Sequence, residues 1–262
     1  MNQRIVKLPF FENLINLVVL ALLAIVCAFP IVHTLALSFS SASAAASGRV
    51  TIWPVEVTTQ AYRFVLDNPA FIRSFGVSLM RVLVGVPVNM AMTTLVAYPL
   101  SRSSSEFRAR GFFAWFFLIT VLFSGGLIPS YIVIRQTGLI DKFWALIVPG
   151  ALPVLNVILL ANFFRGIPKE LEEAAAMDGA GHWTILMRIL LPLSLPILAT
   201  LTLFVAVGHW NQWFDGLILM NSPAKYPLQS YLQTVVINPD PSILSERDLA
   251  LLQLISNRTT RA

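Results

Sequence analysis

The sequence predicts an all-α, polytopic transmembrane helix bundle, and three observations carry that prediction. Of 262 residues, 56% are hydrophobic and only 12% are charged, about half the charge of an ordinary soluble domain. The charge is also unevenly placed. The windows 13–48, 82–101, 111–134, 143–164 and 189–214 contain no Asp, Glu, Lys or Arg, and a helix needs about 20 apolar residues to cross the hydrocarbon core. Finally, Leu14–Leu37 is apolar on every face, whereas the strands of a membrane barrel alternate apolar and polar residues. This composition excludes a soluble enzyme and a disordered chain. The single cysteine, Cys27, excludes a disulfide framework. The net charge of +5 does not point to nucleic acid, because the basic residues are scattered singly between spans, as in the loops of membrane proteins.

The elements follow in order along one transmembrane domain, 1–262. The first span is expected over 14–37, followed by a Ser/Ala-rich stretch from Ser38 to Gly48. Ala42-Ser43-Ala44 resembles a signal-peptide cleavage site, but the apolar stretch is about twice the usual signal length and four more spans follow. Trp53-Pro54 and Asn68-Pro69 mark turns in a short connection. The second span covers 75–99, with Arg81 close enough to its start to snorkel to the interface. The third (111–134) and fourth (143–164) are interrupted, by Ser124-Gly125-Gly126 with Pro129 and by Pro149-Gly150 with Pro153. Such breaks free backbone groups that lipid cannot pair, so they must face protein or a water-filled path. The fifth span covers 189–214, with Pro192 and Pro196 near its beginning.

Lys and Arg counts orient the chain. With a cytoplasmic N-terminus, the inner loops 1–13, 100–110 and 165–188 hold eight Lys/Arg in 48 residues, against nine in 92 for the outer segments. The excess favours N-in.

Within the 165–188 loop the sequence writes a short helix. Pro168 suits a first turn, and Glu170, Glu172 and Glu173 oppose the positive end of the helix dipole. Ala174, Ala175 and Ala176 are strong helix formers. Asp178-Gly179 supplies a stop, with Gly179 in the left-handed conformation. Leu171, Ala174, Ala175 and Met177 form a small apolar stripe able to dock into a cleft of another protein.

The run Glu173-Ala174-Ala175, three residues, Gly179, nine residues, Ile189, one residue, then Leu191-Pro192 resembles, without a gap, the EAA loop of ABC importer permeases. FSGGLIPSY at 123–131, TGLIDKFWA at 137–145, IVPG at 147–150, NFF at 162–164 and WNQW at 210–213 resemble the carbohydrate-uptake branch of that family. Within it the chain is most similar to permeases for complex saccharides, alginate among them. The resemblance implies the type I importer fold in a bacterial inner membrane. It also implies an EAA coupling helix seated in a groove of a cytoplasmic ATPase through Glu173, Ala174, Ala175, Asp178 and Gly179. The ordinary alternative is an interhelical loop capped by Pro and Gly. The implied partners are a second, related permease in a heterodimer, two ATPase subunits that hold ATP and Mg, and an extracytoplasmic solute-binding protein meeting loops 38–73 and 225–256. Permeases of the branch have six spans. The resemblance therefore implies a sixth beyond Arg258–Ala262, where this sequence ends.

The chain itself carries no recognisable chemistry. It has no Gly-x-x-x-x-Gly-Lys loop, its three histidines (His33, His182, His209) form no metal pattern, and no nucleophilic triad is visible. No cofactor is expected in it. The polar residues within spans, Asn89, Asn156, Asn211 and Gln212 with Trp210, either hydrogen-bond between helices or line a sugar path. Two rival classes remain. An ion-coupled transporter needs buried ionisable groups and an internal repeat; an intramembrane enzyme needs a catalytic constellation.

Overall fold

The computed structural model describes the backbone of residues 10–237 and the side chains of 14–235. The expectations for residues 1–9 and for the segment after 237, the sixth-span question included, lie outside the described residues. The described chain falls into two compact units that divide between Pro69 and Ala70.

The first unit begins with α1 (Phe10–Ser38), whose most apolar stretch buries no residue. A helix greasy on all sides satisfies its backbone internally and leaves its surface to hydrocarbon or to another helix. The Ser/Ala stretch after it is folded. Ser41 accepts the Ala44 N–H at 3.2 Å and caps α2 (Ala42–Ala46), and Ala44 is fully buried with Ala36 and Val50. The segment that reads as a cleavage site is thus packed helix. Ser40 ties the turn together, donating to the Ala36 carbonyl at 2.7 Å and accepting the Val55 N–H at 3.0 Å. The hydroxyls of Ser41 and Ser43 hold the Glu56 carboxyl below the usual carboxylate range. A short α3 (Gln60–Leu66) closes the unit.

The second unit opens with α4 (Pro69–Ser101). It is longer than the span expected over 75–99, because Pro69 supplies a preformed first turn. The interrupted third span is two helices, α5 (Arg110–Leu122) and α6 (Leu127–Gln136), turned through 118° at the Ser-Gly-Gly break. Neither is long enough to cross alone, since thirteen residues rise only about 20 Å. Gly126 sits at φ +84°, and the Ser130 hydroxyl donates to its carbonyl at 2.7 Å. The fourth span starts as 3₁₀ turns over Phe143–Gly150 and bends 49° into α7 (Val154–Arg165). Next come α8 (Lys169–Met177), α9 (His182–Leu193) and α10 (Leu195–Asn211). The fifth span is more broken than its sequence suggests, with 82° between α9 and α10. Pro192 and Pro196 each lack an N–H, and a π turn at Leu186–Leu190 precedes them. The bend falls at Ser194, whose N–H is shared by the Leu190 and Leu191 carbonyls.

The core of this unit lies where α4, α7, α9 and α10 meet. Ala97, Leu100, Leu160, Phe164, Leu190 and Leu201 are buried there. At the other end, α11 (Phe214–Leu219) and α12 (Leu228–Leu232) close against α4: Ser78 accepts the Leu228 N–H at 2.8 Å, and Ser230 donates to the Trp213 carbonyl at 2.6 Å. A clasp at Asp141 joins the nearby turns. Its N–H reaches the Leu219 carbonyl at 2.8 Å, its carboxylate takes the Asn221 N–H at 3.0 Å, and Lys225 pairs with it. The Lys225 hydrogen bond holds the Asp141 carboxyl below its ordinary range.

Gly216 is where this end is tightest: a Cβ there would stand 2.1 Å from Ser230 Oγ and 2.7 Å from Pro227 Cδ. Gly216→Ala should therefore lower stability by about 1–3 kcal/mol through overpacking, despite alanine's better helix propensity. Thermal unfolding in detergent should show a lower Tm for G216A than for a Gly76→Ala control, where a Cβ meets nothing within 4 Å.

Candidate functional site

Two regions of the second unit combine polar chemistry with placement. The first is the 165–188 loop. Helix α8 starts at Lys169, with Pro168 just before it rather than in its first turn, and Glu170 and Glu172 lie in that turn. Its C-terminus is closed by two crossed hydrogen bonds: Ala180 N–H to the Ala175 carbonyl at 2.9 Å, and Gly179 N–H to the Ala176 carbonyl at 3.0 Å. This Schellman closure needs a left-handed residue, and Gly179 has φ +83°. A Cβ at 179 would meet no atom within 4 Å, so the requirement for glycine is conformational and not steric.

The helix has two faces. Ala175 and the following Ala180 pack on the unit's core, and Glu172 turns inward to form a two-pronged ion pair with Arg102, both side chains only 15% or less exposed. The outward face carries Glu173, Ala174 and Met177, the last 89% exposed. Asp178 and Gly179 are exposed as well. The expected apolar stripe is thus divided, with Ala175 inside and Leu171, Ala174 and Met177 outside. Arg102 also stacks over Tyr98 at 4.5 Å from the ring centroid. Tyr98 in turn hydrogen-bonds His182 Nδ1 at 3.0 Å, and Arg165 donates to the Leu100 carbonyl at 2.8 Å. The end of α4 is therefore held by α7, α8 and α9 together.

The second region is a cavity of about 490 Å³ among α4, α6, the 145–156 break, α10 and α11. Of the expected path residues, Asn89, Asn156 and Gln212 line it, while Trp210 and Asn211 do not. Trp210 instead meets Phe75 edge-on at 5.8 Å, and Asn211 is exposed. Asn89 donates to the Gly150 carbonyl at 3.1 Å, pairing a backbone group at the break in the fourth span.

Arg81 overturns the snorkelling expectation. It is 1% exposed, donates to Asp215 Oδ2 at 2.9 Å and to the Gln212 carbonyl at 3.3 Å, and lines the cavity. An acid 134 residues away in sequence neutralises it, which removes the need to reach the interface. His209 also lines the cavity, lying against Gly85, where a Cβ would stand 2.6 Å from its ring. Sequence reasoning missed Arg81, His209 and Asp215 as cavity residues. The available signal was Arg81 itself, a lone cation in an apolar run that needs a partner. On three residues that line the cavity, one polar atom each, Arg81 Nε, Asn89 Oδ1 and His209 Nε2, is buried without a protein hydrogen-bond partner. Buried atoms of this kind are ordinarily satisfied by ordered water. No group of His, Cys, Asp and Glu suited to a metal occurs among the described residues.

Comparison with known proteins agrees across nearly the whole chain. Residues 69–244 match the family model of the binding-protein-dependent transport system inner membrane component. The chain is 39% identical over 225 residues to Protein LplC of Bacillus subtilis (strain 168), covering 86% of this chain and 76% of that protein. It is 38% identical over 218 residues to the polygalacturonan/rhamnogalacturonan transport system permease protein YtcP of the same organism, covering 83% and 76%. Its fold is similar, with a TM-score of 0.85 and 29% identity, to a chain in the crystal structure of a bacterial ABC transporter involved in the import of the acidic polysaccharide alginate. That match covers 100% of this chain and 93% of the other.

The Arg81–Asp215 pair makes a direct prediction. Asp215→Asn leaves a buried guanidinium without its counter-charge and should cost about 3 kcal/mol. Arg81→Met combined with Asp215→Asn should recover most of that loss. Unfolding of the two variants in detergent checks it, with a recovered Tm expected only for the double variant.

Proposed function

We infer the role of this chain from one premise: it belongs to the family of binding-protein-dependent transport system inner membrane components. It is a non-catalytic, membrane-spanning permease subunit of an ABC importer, and the family implies a second permease, an ATPase and a solute-binding protein as partners.

Beyond that premise, we propose that the cargo is an oligo- or polysaccharide, acidic chains such as alginate included. The partner permease is a related but different chain, two ATPase subunits bind ATP and Mg, and the N-terminus is cytoplasmic. The names of the relatives support the saccharide, and so does a cavity lined by the polar side chains of Asn89, Asn156 and Gln212. The higher Lys/Arg density of loops 100–110 and 165–188 supports the orientation.

The observation that carries the coupling reading is the two-faced α8. Its inner face is committed to its own chain, through Glu172 to Arg102 and through Ala175 to the core. Its outer face offers Glu173, Ala174 and Met177, small or flexible side chains that allow close approach of a second protein. A push on α8 then reaches α4 through the Arg102–Glu172 pair. Helix α4 runs without interruption from Ser101 back past Asn89 and Arg81, so the cavity's polar groups ride on the same rod, about 20 Å from its gripped end to Asn89.

Two experiments test this. In the reconstituted importer, Glu173→Lys and Gly179→Leu should insert normally yet abolish saccharide uptake. ATP hydrolysis should lose its response to loaded binding protein, or the ATPase should dissociate. Normal uptake by both variants with the ATPase bound would reduce the loop to a connector. Separately, Arg102→Glu and Glu172→Arg should each cut uptake about tenfold or more, since each strands a sheltered charge. The charge-swapped double variant should restore a substantial part, whereas equal loss in single and double variants would show that the pair transmits nothing.

A further inference from the structure

A second cavity, of about 450 Å³, lies between the 101–110 turn, the end of α7 and α8, and it holds more positive charge than the coupling helix uses. Three of its charged groups serve one another. Arg102 is paired with Glu172, Glu106 lies 3.9 Å from the same guanidinium, and Glu106 also takes the Ser103 hydroxyl at 3.1 Å. The remaining cations are Arg110, Arg165 and Lys169, against the single remaining carboxylate of Glu173. Arg110 and Lys169 have no acceptor among the described residues, and Arg165 spends its N–H groups on two neutral oxygens, the Leu100 carbonyl and Asn162 Oδ1. Arg110 and Arg165 line one cavity and neither forms an ion pair among the described residues, so together they form a place for an anion.

The height of this cavity indicates which anion. Arg110 is the first residue of α5, and the 24 residues that follow it carry no charge. Phe112, Trp115 and Phe116 begin that run and are exposed. Aromatic side chains in this position mark the membrane–water boundary, the level of lipid phosphates. A basic pocket at that level suits an anionic headgroup. A choline headgroup would add a cation to a cavity that already sets four against three carboxylates.

We propose that this cavity holds the phosphate of an anionic phospholipid between Arg110 and Arg165, with Lys169 at its rim and the acyl chains along the aromatic side of α5. The assignment does not depend on the saccharide or on the coupling role of α8, and its test reads lipid and not transport.

The assembled importer is incubated in detergent with phosphatidylglycerol, phosphatidylcholine or inorganic phosphate, and bound lipid is counted by native mass spectrometry. Phosphatidylglycerol should be retained and phosphatidylcholine should not, and inorganic phosphate should fail to displace the lipid. Retention should fall about tenfold in the Arg110→Gln, Arg165→Gln double variant. It should stay at the wild-type level in Arg108→Gln, which removes an exposed neighbouring charge outside the cavity. Thermal unfolding establishes that each variant is folded. If the double variant does not fold, Lys169→Gln replaces it, with a smaller loss expected. Several results would overturn the proposal: equal retention by the cavity variants, equal retention of the two lipids, or absence of lipid with the ATPase in place. Displacement by inorganic phosphate would assign the cavity to a free anion instead and overturn it as well.

Discussion

In hydrocarbon a backbone N–H or C=O without a partner costs about several kcal/mol, and this chain interrupts its helices repeatedly in segments poor enough in charge to lie there. Each interruption is therefore matched by a local device. The Ser-Gly-Gly break is backed by hydroxyls, Ser124 accepting the Gly126 N–H at 3.2 Å and Ser130 donating to the Gly126 carbonyl. At the break in the fourth span, the Gly150 carbonyl is paired by Asn89 from α4. At the α9–α10 bend the buried Ser194 N–H bridges two carbonyls. The first two devices explain why Ser124, Ser130 and Asn89 occur inside otherwise apolar windows, and Gly150, paired by Asn89, also lines the cavity beside the 145–156 break.

Most of this architecture was legible in the sequence because the signals are one-dimensional. Charge-free windows, proline and glycine positions and the Glu-Ala-Ala-to-Gly179 spacing all read along the chain, and the structure breaks its helices at the motifs that marked the third and fourth spans. Two things could not be read that way. The angle of a break depends on which neighbour supplies the missing hydrogen bond, so Pro192 and Pro196 signalled a disturbance without its 82°. The Arg81–Asp215 pair joins residues from the first half of α4 and from α11, and no local pattern connects them. Arg81 alone had two physical solutions, reaching the interface or finding a buried acid, and only packing decides between them.

That pair also clarifies why buried ionisable residues are a weak guide to mechanism. An ion-coupled transporter would need such groups, and here is one pair lining the cavity beside the 145–156 break. Yet the two charges neutralise each other, and the guanidinium additionally holds the Gln212 carbonyl, at the point where α10 ends. The arrangement resembles a strut between helices more than a site awaiting an ion, and membership of a binding-protein-dependent importer family places the energy source on a separate subunit.

The division of labour along α4 follows from the same economy. For a movement of α8 to be carried to the cavity, as proposed for coupling, the connecting element has to be stiff, and uninterrupted helix is the stiffest element available to a single chain. Helix α4 is the longest in the described second unit. It carries Pro87 and Pro99 without breaking, and its side chains Asn89 and Arg81 hold the parts that do break, the 145–156 segment and the end of α10. Its far end is where Arg102 and the Leu100 carbonyl meet Glu172 and Arg165. In the proposed coupling, interrupted neighbours are arranged around one continuous helix that α8 grips near Arg102 and that lines the cavity through Asn89 and Arg81. A movement of α8 thus has one connected element along which to reach the cavity.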